Sequence, residues 1–220
     1  MDWHALGSDQ LLKRHQLVRL TPRCWDAWLG AQPVHEGTPL LREWGRRRWP
    51  LVVRRPIVGE AGIPLGIPLP PSTGKQRIAL AVSLADIEAV SALPRLGQAI
   101  IAAPEAWEHS LLQLLALAAR YGVRQHVFGS LAWQWMTGLP YLSPQSDLDM
   151  TWTLPARPRL HHFLDELASV DAHAPMRIDG ELLRADGAGV NWREARACTD
   201  EVAIKTSHGL QMHRLEAFAA

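Results

Sequence analysis

Cysteine is nearly missing from this chain: Cys24 and Cys198 are the two among 220 residues. They lie far apart and have no CxxC partner, which excludes a disulfide framework and a zinc knuckle and leaves two ordinary thiols. Long apolar runs are also missing. No window approaches the roughly 20 apolar residues of a membrane span, and the opening MDWHALGSDQ has neither an apolar h-region nor an Arg-rich amphipathic pattern. The expectation is a cytoplasmic protein with no membrane partner. Internal repeats and low-complexity tracts are absent as well. The chain also lacks a strong overall charge, because 23 Lys and Arg stand against 22 Asp and Glu for a net of +1.

The distribution of that charge is less even. Residues 1–100 carry 13 basic against 8 acidic side chains, a net of +5, and residues 101–220 carry 10 against 14, a net of −4. Arg42, Arg46, Arg47, Arg48, Arg54 and Arg55 cluster in the first half, followed by Lys75 and Arg77. Such a lobe suits a polyanionic substrate, although a solvated face is an equally good reading of a basic run. Two lobes fit a length of this order.

Periodicity gives a coarse map. Residues 10–20 form a short helix or strand, and RCWDAWLGAQ forms a short helix with Trp25 and Trp28 on one face. LVV at 51–53 is a buried strand limited by Pro50 and Pro56. Prolines and glycines crowd residues 56–74, predicting loop and turn. RIALAVSL is a strand, and LADIEAVSALPRLGQAI is helical as far as Pro94. In the second half, AWEHSLLQLLALAARYG is the strongest helix and ends at Gly122 as a C-cap would. Then come the strand VRQHVFGS, the helix LAWQWMTG, the strand DLDMTWTL and the helix RPRLHHFLDELASV. MRIDGELLRA and GVNWREA pair as a hairpin across Asp186-Gly187, and EVAIKTS is the final strand.

The chemistry concentrates in HVFGSLAWQWMTGLPYLSPQSDLDM, residues 126–150. Residues two apart in a strand share a face, so Asp147 and Asp149 stand side by side and repel unless a cation joins them. Upstream, Gly129 and Ser130 occupy a strand-to-helix turn. Its unpaired backbone N–H groups attract phosphate, the missing Cβ lets the anion approach, and Ser130 adds a hydroxyl donor. Carboxylates beside a phosphate turn suit Mg²⁺, a hard cation that prefers oxygen ligands. The reaction class is phosphoryl or nucleotidyl transfer.

Phe128-Gly129-Ser130 followed by Asp147-Leu148-Asp149 resembles the DNA polymerase β-like nucleotidyltransferase superfamily, with a spacer of 16 residues, 131 to 146, that is longer than usual there. The wording FGSLAWQWMTGLPYLSPQSDLDM, with RIDGEL and GVNWREA downstream, is similar to the malonate decarboxylase holo-acyl-carrier-protein synthases, also called phosphoribosyl-dephospho-CoA transferases. That likeness is closest over residues 120–207; RHQLVRL, RRP and PPSTGKQRIAL fit more loosely. The resemblance implies an α+β fold, with a nucleotidyltransferase-like mixed sheet and helices over residues 91–220 and a smaller basic N-terminal α/β domain over residues 1–90 that binds substrate or carrier. It implies transfer of 2'-(5''-phosphoribosyl)-3'-dephospho-CoA from its triphosphate precursor to a serine of the apo acyl carrier protein of malonate decarboxylase, with release of pyrophosphate. Nucleic acid is not expected as a partner. The alternative is an enzyme of the same fold with a small-molecule, protein or RNA acceptor.

The superfamily pattern also calls for a third carboxylate on a later strand. Asp179 fits best, Glu181 is the reserve, and Asp179-Gly180 also reads as a tight turn. Asp147, Asp149 and Asp179 are thus the expected catalytic residues and metal ligands. PPSTGKQ is not a phosphate-binding P-loop, since Leu69 stands where the first glycine belongs and Gln76 follows Lys75. Lys75 and Arg77 remain candidates for substrate phosphates beside Gly129 and Ser130. Lys205, a strand lysine between apolar neighbours, is a further candidate or else the partner of a carboxylate. Trp133 and Trp135, two of ten tryptophans, are expected to pack rather than to stack a base.

Overall fold

The structure is a computed structural model that describes residues 1–5, 12–32, 38–57, 59–74, 76–156, 158–198, 200–206, 209–215 and 218. The chain is α+β and divides into two compact units. The first comprises Met1–Leu93 with Met136–Pro140, and the second Pro94–Trp135 with Tyr141–Ala220.

The first unit holds an antiparallel sheet of β1 (Leu17–Leu20), β2 (Leu51–Val53), β3 (Ile63–Pro68), β4 (Arg77–Val82) and β5 (Ile87–Ser91), in the order β4-β3-β2-β1-β5. Helices α1 (Pro22–Gly30) and α2 (Pro39–Arg47) accompany it. Thr21 caps α1, its hydroxyl accepting from the Cys24 amide at 3.3 Å, and Pro22 supplies a preset first turn. Two expectations fail in this unit. Residues 56–74 are not loop throughout, because β3 runs through them. Pro64 and Pro68 are tolerated since the side of β3 from which their N–H groups are missing faces β2, which is only three residues long and has ended there; the Pro64 carbonyl on that side accepts from Arg54 N at 3.0 Å. Residues 84–94 are not helical either. A 3₁₀ turn at Leu84–Asp86, closed by Ser83 Oγ donating to Asp86 at 2.8 Å, feeds β5, whose pairing with β1 outweighs local helix preference.

The second unit is built on a six-stranded sheet: β6 (Arg124–Val127), β7 (Leu148–Thr153), β8 (Ile178–Leu183), β9 (Gly189–Asn191), β10 (Glu201–Thr206) and β11 (Gly209–Arg214), in the order β11-β10-β9-β8-β7-β6. The strand expected in EVAIKTS is therefore not the last, since β11 pairs with it from Glu201 to Thr206. The β7–β8 pair is parallel and the other described pairs of this sheet are antiparallel. A parallel pair needs a crossover, which α6 (Leu160–His173) provides. The remaining helices are α3 (Leu96–Ala99), α4 (Glu108–Tyr121), α5 (Gly129–Thr137) and α7 (Trp192–Ala197).

Strand β7 sorts its side chains with period two. Leu148, Met150 and Trp152 are buried, and the Trp152 ring meets Phe163 of α6 edge to face at 6.4 Å. Leu111, Leu114, Leu117 and Ala118 of α4, spaced for one helical face, are buried, and Tyr121 at its end also meets the Phe163 ring, at 5.7 Å. Gly122 ends α4 at φ 65°, the C-cap that the sequence predicts. The helices thus take one face of the sheet. Asp149, Thr151 and Thr153 point to the other.

Candidate active site

Register determines the site. In the parallel β7–β8 pair Asp149 is the direct partner of Asp179, so two half-buried carboxylates lie on adjacent strands and on one face. Asp147, also half-buried, immediately precedes β7 and falls two residues from Asp149. The turn reading of Asp179-Gly180 is wrong: β8 continues through both.

The Gly129-Ser130 turn meets this pair from the other side. Phe128 N donates to the Asp149 carbonyl at 3.0 Å, which brings the end of β6 alongside β7. Gly129 then adopts φ +61° and opens α5, with its α-carbon against the Asp149 carboxylate. A Cβ at position 129 would sit 1.8 Å from Asp149 Oδ2, so no other residue fits without displacing the acid. A carboxylate at the start of a helix is also favoured by the helix dipole. Gly129, Asp149 and Asp179 therefore form one constellation, with Ser130, half-buried, in the first turn of α5. The long spacer is accounted for by α5 and the loop after it, where Gln134 Oε1 accepts from Tyr141 N at 3.1 Å and Leu142 N at 3.0 Å.

Asp179 is held by a residue that the sequence did not single out. Asn191 Nδ2 donates to Asp179 Oδ1 at 3.1 Å, and the other amide atom, Oδ1, accepts from the Arg193 and Glu194 amides to cap α7. One side chain thereby fixes both the helix start and the carboxylate. The readable signal was an Asn at a strand-to-helix junction with Glu194 at the third helical position.

Glu181, the reserve carboxylate, is buried at 8% exposure and receives Lys205 Nζ at 2.6 Å. Lys205 thus has the carboxylate partner that was its alternative reading, and Glu181 is already paired with a cation, whereas Asp179 receives the uncharged amide of Asn191. His126 of β6 pairs with Thr151, and burial, then Arg95 and Arg124, lower its pKa. Trp133 is buried and packs on Tyr141, as expected. Lys75 lies outside the described residues. Arg77 is exposed on β4 of the first unit.

Among the described residues no three His, Cys, Asp or Glu side chains are gathered to hold a metal by themselves. That does not match the expected ligand trio as it stands. Mg²⁺ commonly takes one or two carboxylates and fills its other positions with water and substrate phosphate. Asp149 and Asp179 are the fitting donors. Two unit charges at the spacing of adjacent strands, about 5 Å, repel by roughly 3 kcal/mol at an effective dielectric of about 20.

The same chain matches two family models end to end: the N-terminal domain of phosphoribosyl-dephospho-CoA transferase MdcG over residues 13–92 and its C-terminal domain over residues 92–216. The chain belongs to the phosphoribosyl-dephospho-CoA transferase family. It is similar to the phosphoribosyl-dephospho-CoA transferase of Bradyrhizobium diazoefficiens, 43% identical over 194 residues, which cover 88% of this chain and 86% of that one. The enzymes of that name from Xanthomonas euvesicatoria and Xanthomonas campestris are 38% and 39% identical. They cover 90% and 79% of this chain, and 92% and 83% of their own lengths. No solved structure matches significantly. Membership makes the chain a transferase, and no described helix is long and apolar enough to cross a membrane.

Proposed function

We propose that the chain transfers the 2'-(5''-phosphoribosyl)-3'-dephospho-CoA group from its triphosphate precursor to a serine of the apo acyl carrier protein of malonate decarboxylase, releasing pyrophosphate. The observation that carries this reading is the register of Asp149 with Asp179 beside Gly129, which puts a phosphate turn and a carboxylate pair within one site. Asp149 and Asp179 would hold Mg²⁺, and Asp147, two residues before Asp149, is the next carboxylate in the chain. A cation held there would lower the cost of the serine alkoxide and of the charge that grows on the leaving pyrophosphate. Gly129 leaves the α5 N-terminus open to phosphate oxygens, and Ser130 adds one donor. Asn191, by donating to Asp179 Oδ1, would hold that carboxylate in place for a cation.

Incubation with triphosphoribosyl-dephospho-CoA, Mg²⁺ and apo carrier, followed by mass spectrometry of the carrier, tests the reading. The expected product is a carrier heavier by the whole prosthetic group on one serine. An unmodified carrier, with label appearing on RNA or a small-molecule acceptor, would replace this reading by the same chemistry on another acceptor.

A further inference from the structure

The sheet face that carries Asp149 and Asp179 also carries a charged pair that the transfer chemistry does not use. Glu181 lies two residues after Asp179 on β8, so it shares that face and stands about 7 Å further along the strand. It is 8% exposed and accepts from Lys205 Nζ at 2.6 Å. The lysine does not come from the neighbouring strand. Lys205 of β10 is opposite Gly189 of β9, and Gly189 is opposite Leu183 of β8, so the side chain reaches across a whole strand, a backbone separation of about 10 Å.

Gly189 keeps that crossing open. Its φ is not positive, so the backbone there does not call for glycine, and glycine inside a strand weakens it. What the position supplies is room: a Cβ would stand 2.8 Å from Leu183 Cδ2 and 3.5 Å from Glu181 Oε2, beside the ion pair. A buried ion pair is often no more stabilising than apolar side chains of the same volume, so stability alone does not explain the arrangement. Its electrostatic consequence is specific. Without Lys205, the charge of Glu181 would add to those of Asp149 and Asp179 on one face and compete with them for a cation.

We infer that Lys205 is a positioning residue for the transfer, holding Glu181 away from the cation so that Asp149 and Asp179 define where it binds. This rests on the reading that those two aspartates hold Mg²⁺. The competing role for Lys205 is direct contact with substrate phosphate, and the two roles predict opposite results when Glu181 and Lys205 are changed together.

The test compares Glu181→Gln, Lys205→Met and the double variant in the full chain. Affinity for Mg²⁺ alone is measured by isothermal titration, stability by melting without metal, and kcat and KM for the triphosphate by mass spectrometry of the carrier. Lys205→Met removes the cation beside Glu181 and should tighten Mg²⁺ by about tenfold, while Glu181→Gln releases the lysine charge toward Asp179 and should weaken Mg²⁺ by about tenfold. In Lys205→Met the cation is drawn toward Glu181, so kcat should fall at least about tenfold with KM nearly unchanged. The double variant removes both charges and should return Mg²⁺ affinity, kcat and Tm toward wild type. If Lys205→Met does not fold, recovery of Mg²⁺ affinity from Glu181→Gln to the double variant still supports the inference, and no recovery overturns it. A double variant with low activity and a raised KM for the triphosphate would make Lys205 a substrate ligand and overturn the inference. Equal Mg²⁺ affinity in all four proteins would overturn it as well. Mg²⁺ binding that survives Asp179→Asn would refute the cation site itself, and the inference with it. Opposite Mg²⁺ shifts in the two single variants, in a chain that never modifies the carrier, would refute the proposed acceptor and leave the role of Lys205 standing.

Discussion

Asp179→Asn separates function from folding at the candidate site. The substitution keeps shape and keeps Oδ1 as an acceptor, so the bonds from Asn191 Nδ2 and the Gly180 amide survive. What disappears is one of two charges in direct register with each other. The full repulsion of roughly 3 kcal/mol at about 5 Å is reduced by solvent around half-buried groups, leaving a gain of about 0.5–1 kcal/mol. For a chain of this size that raises Tm by about 1–4 °C without metal. Transfer to the carrier, read by mass spectrometry, should fall by at least a hundredfold, and added Mg²⁺, which stabilises the wild type by binding its folded form, should no longer raise Tm. A variant that melts lower than wild type without metal and still transfers at near-normal rates would refute the reasoning, since the acid would then be a structural residue.

Gly129→Ala should cost about 1–2 kcal/mol from the left-handed backbone alone, and more from the clash with Asp149, with transfer lost; urea unfolding and the mass assay check both. Asn191→Asp keeps a good cap for α7 but replaces the donor at Asp179 with a second carboxylate, so kcat should drop and stability should fall by repulsion; Asn191→Ala should lose roughly 1 kcal/mol of capping. A kcat equal to wild type in Asn191→Asp would remove its positioning role. His126 has a folded pKa below its ordinary value, so its contribution to stability is present above about pH 6.5 and is lost as pH falls from there through the folded value. His126→Asn should flatten the fall in stability below about pH 6.5, and an unchanged slope would assign that fall to other groups.

The second unit was legible where local signals agreed with tertiary ones. The period-two pattern of DLDMTWTL, the apolar stripe of α4 and the Asp186-Gly187 hairpin each appear in place, because those segments bury one face against elements that they also predict. The first unit was read less well. Pro64 and Pro68 look like strand breakers until the shortness of β2 is known, and LADIEAV looks helical until β1 offers a pairing edge. Neither fact is local, so no window of sequence contains it. The same limit applies at the site. Asp-x-Asp and Gly-Ser could be found by spacing, but the partner of Asp149 is chosen by a parallel register across a helical crossover, with Asp149 opposite Asp179 and Thr151 opposite Glu181. The pairing of Glu181 with Lys205 then separates the two acids that sequence left tied. One acid is neutralised inside the fold, and the other is held by an amide donor that brings no charge. That difference is why Asp179, and not Glu181, is the acid proposed to meet a cation.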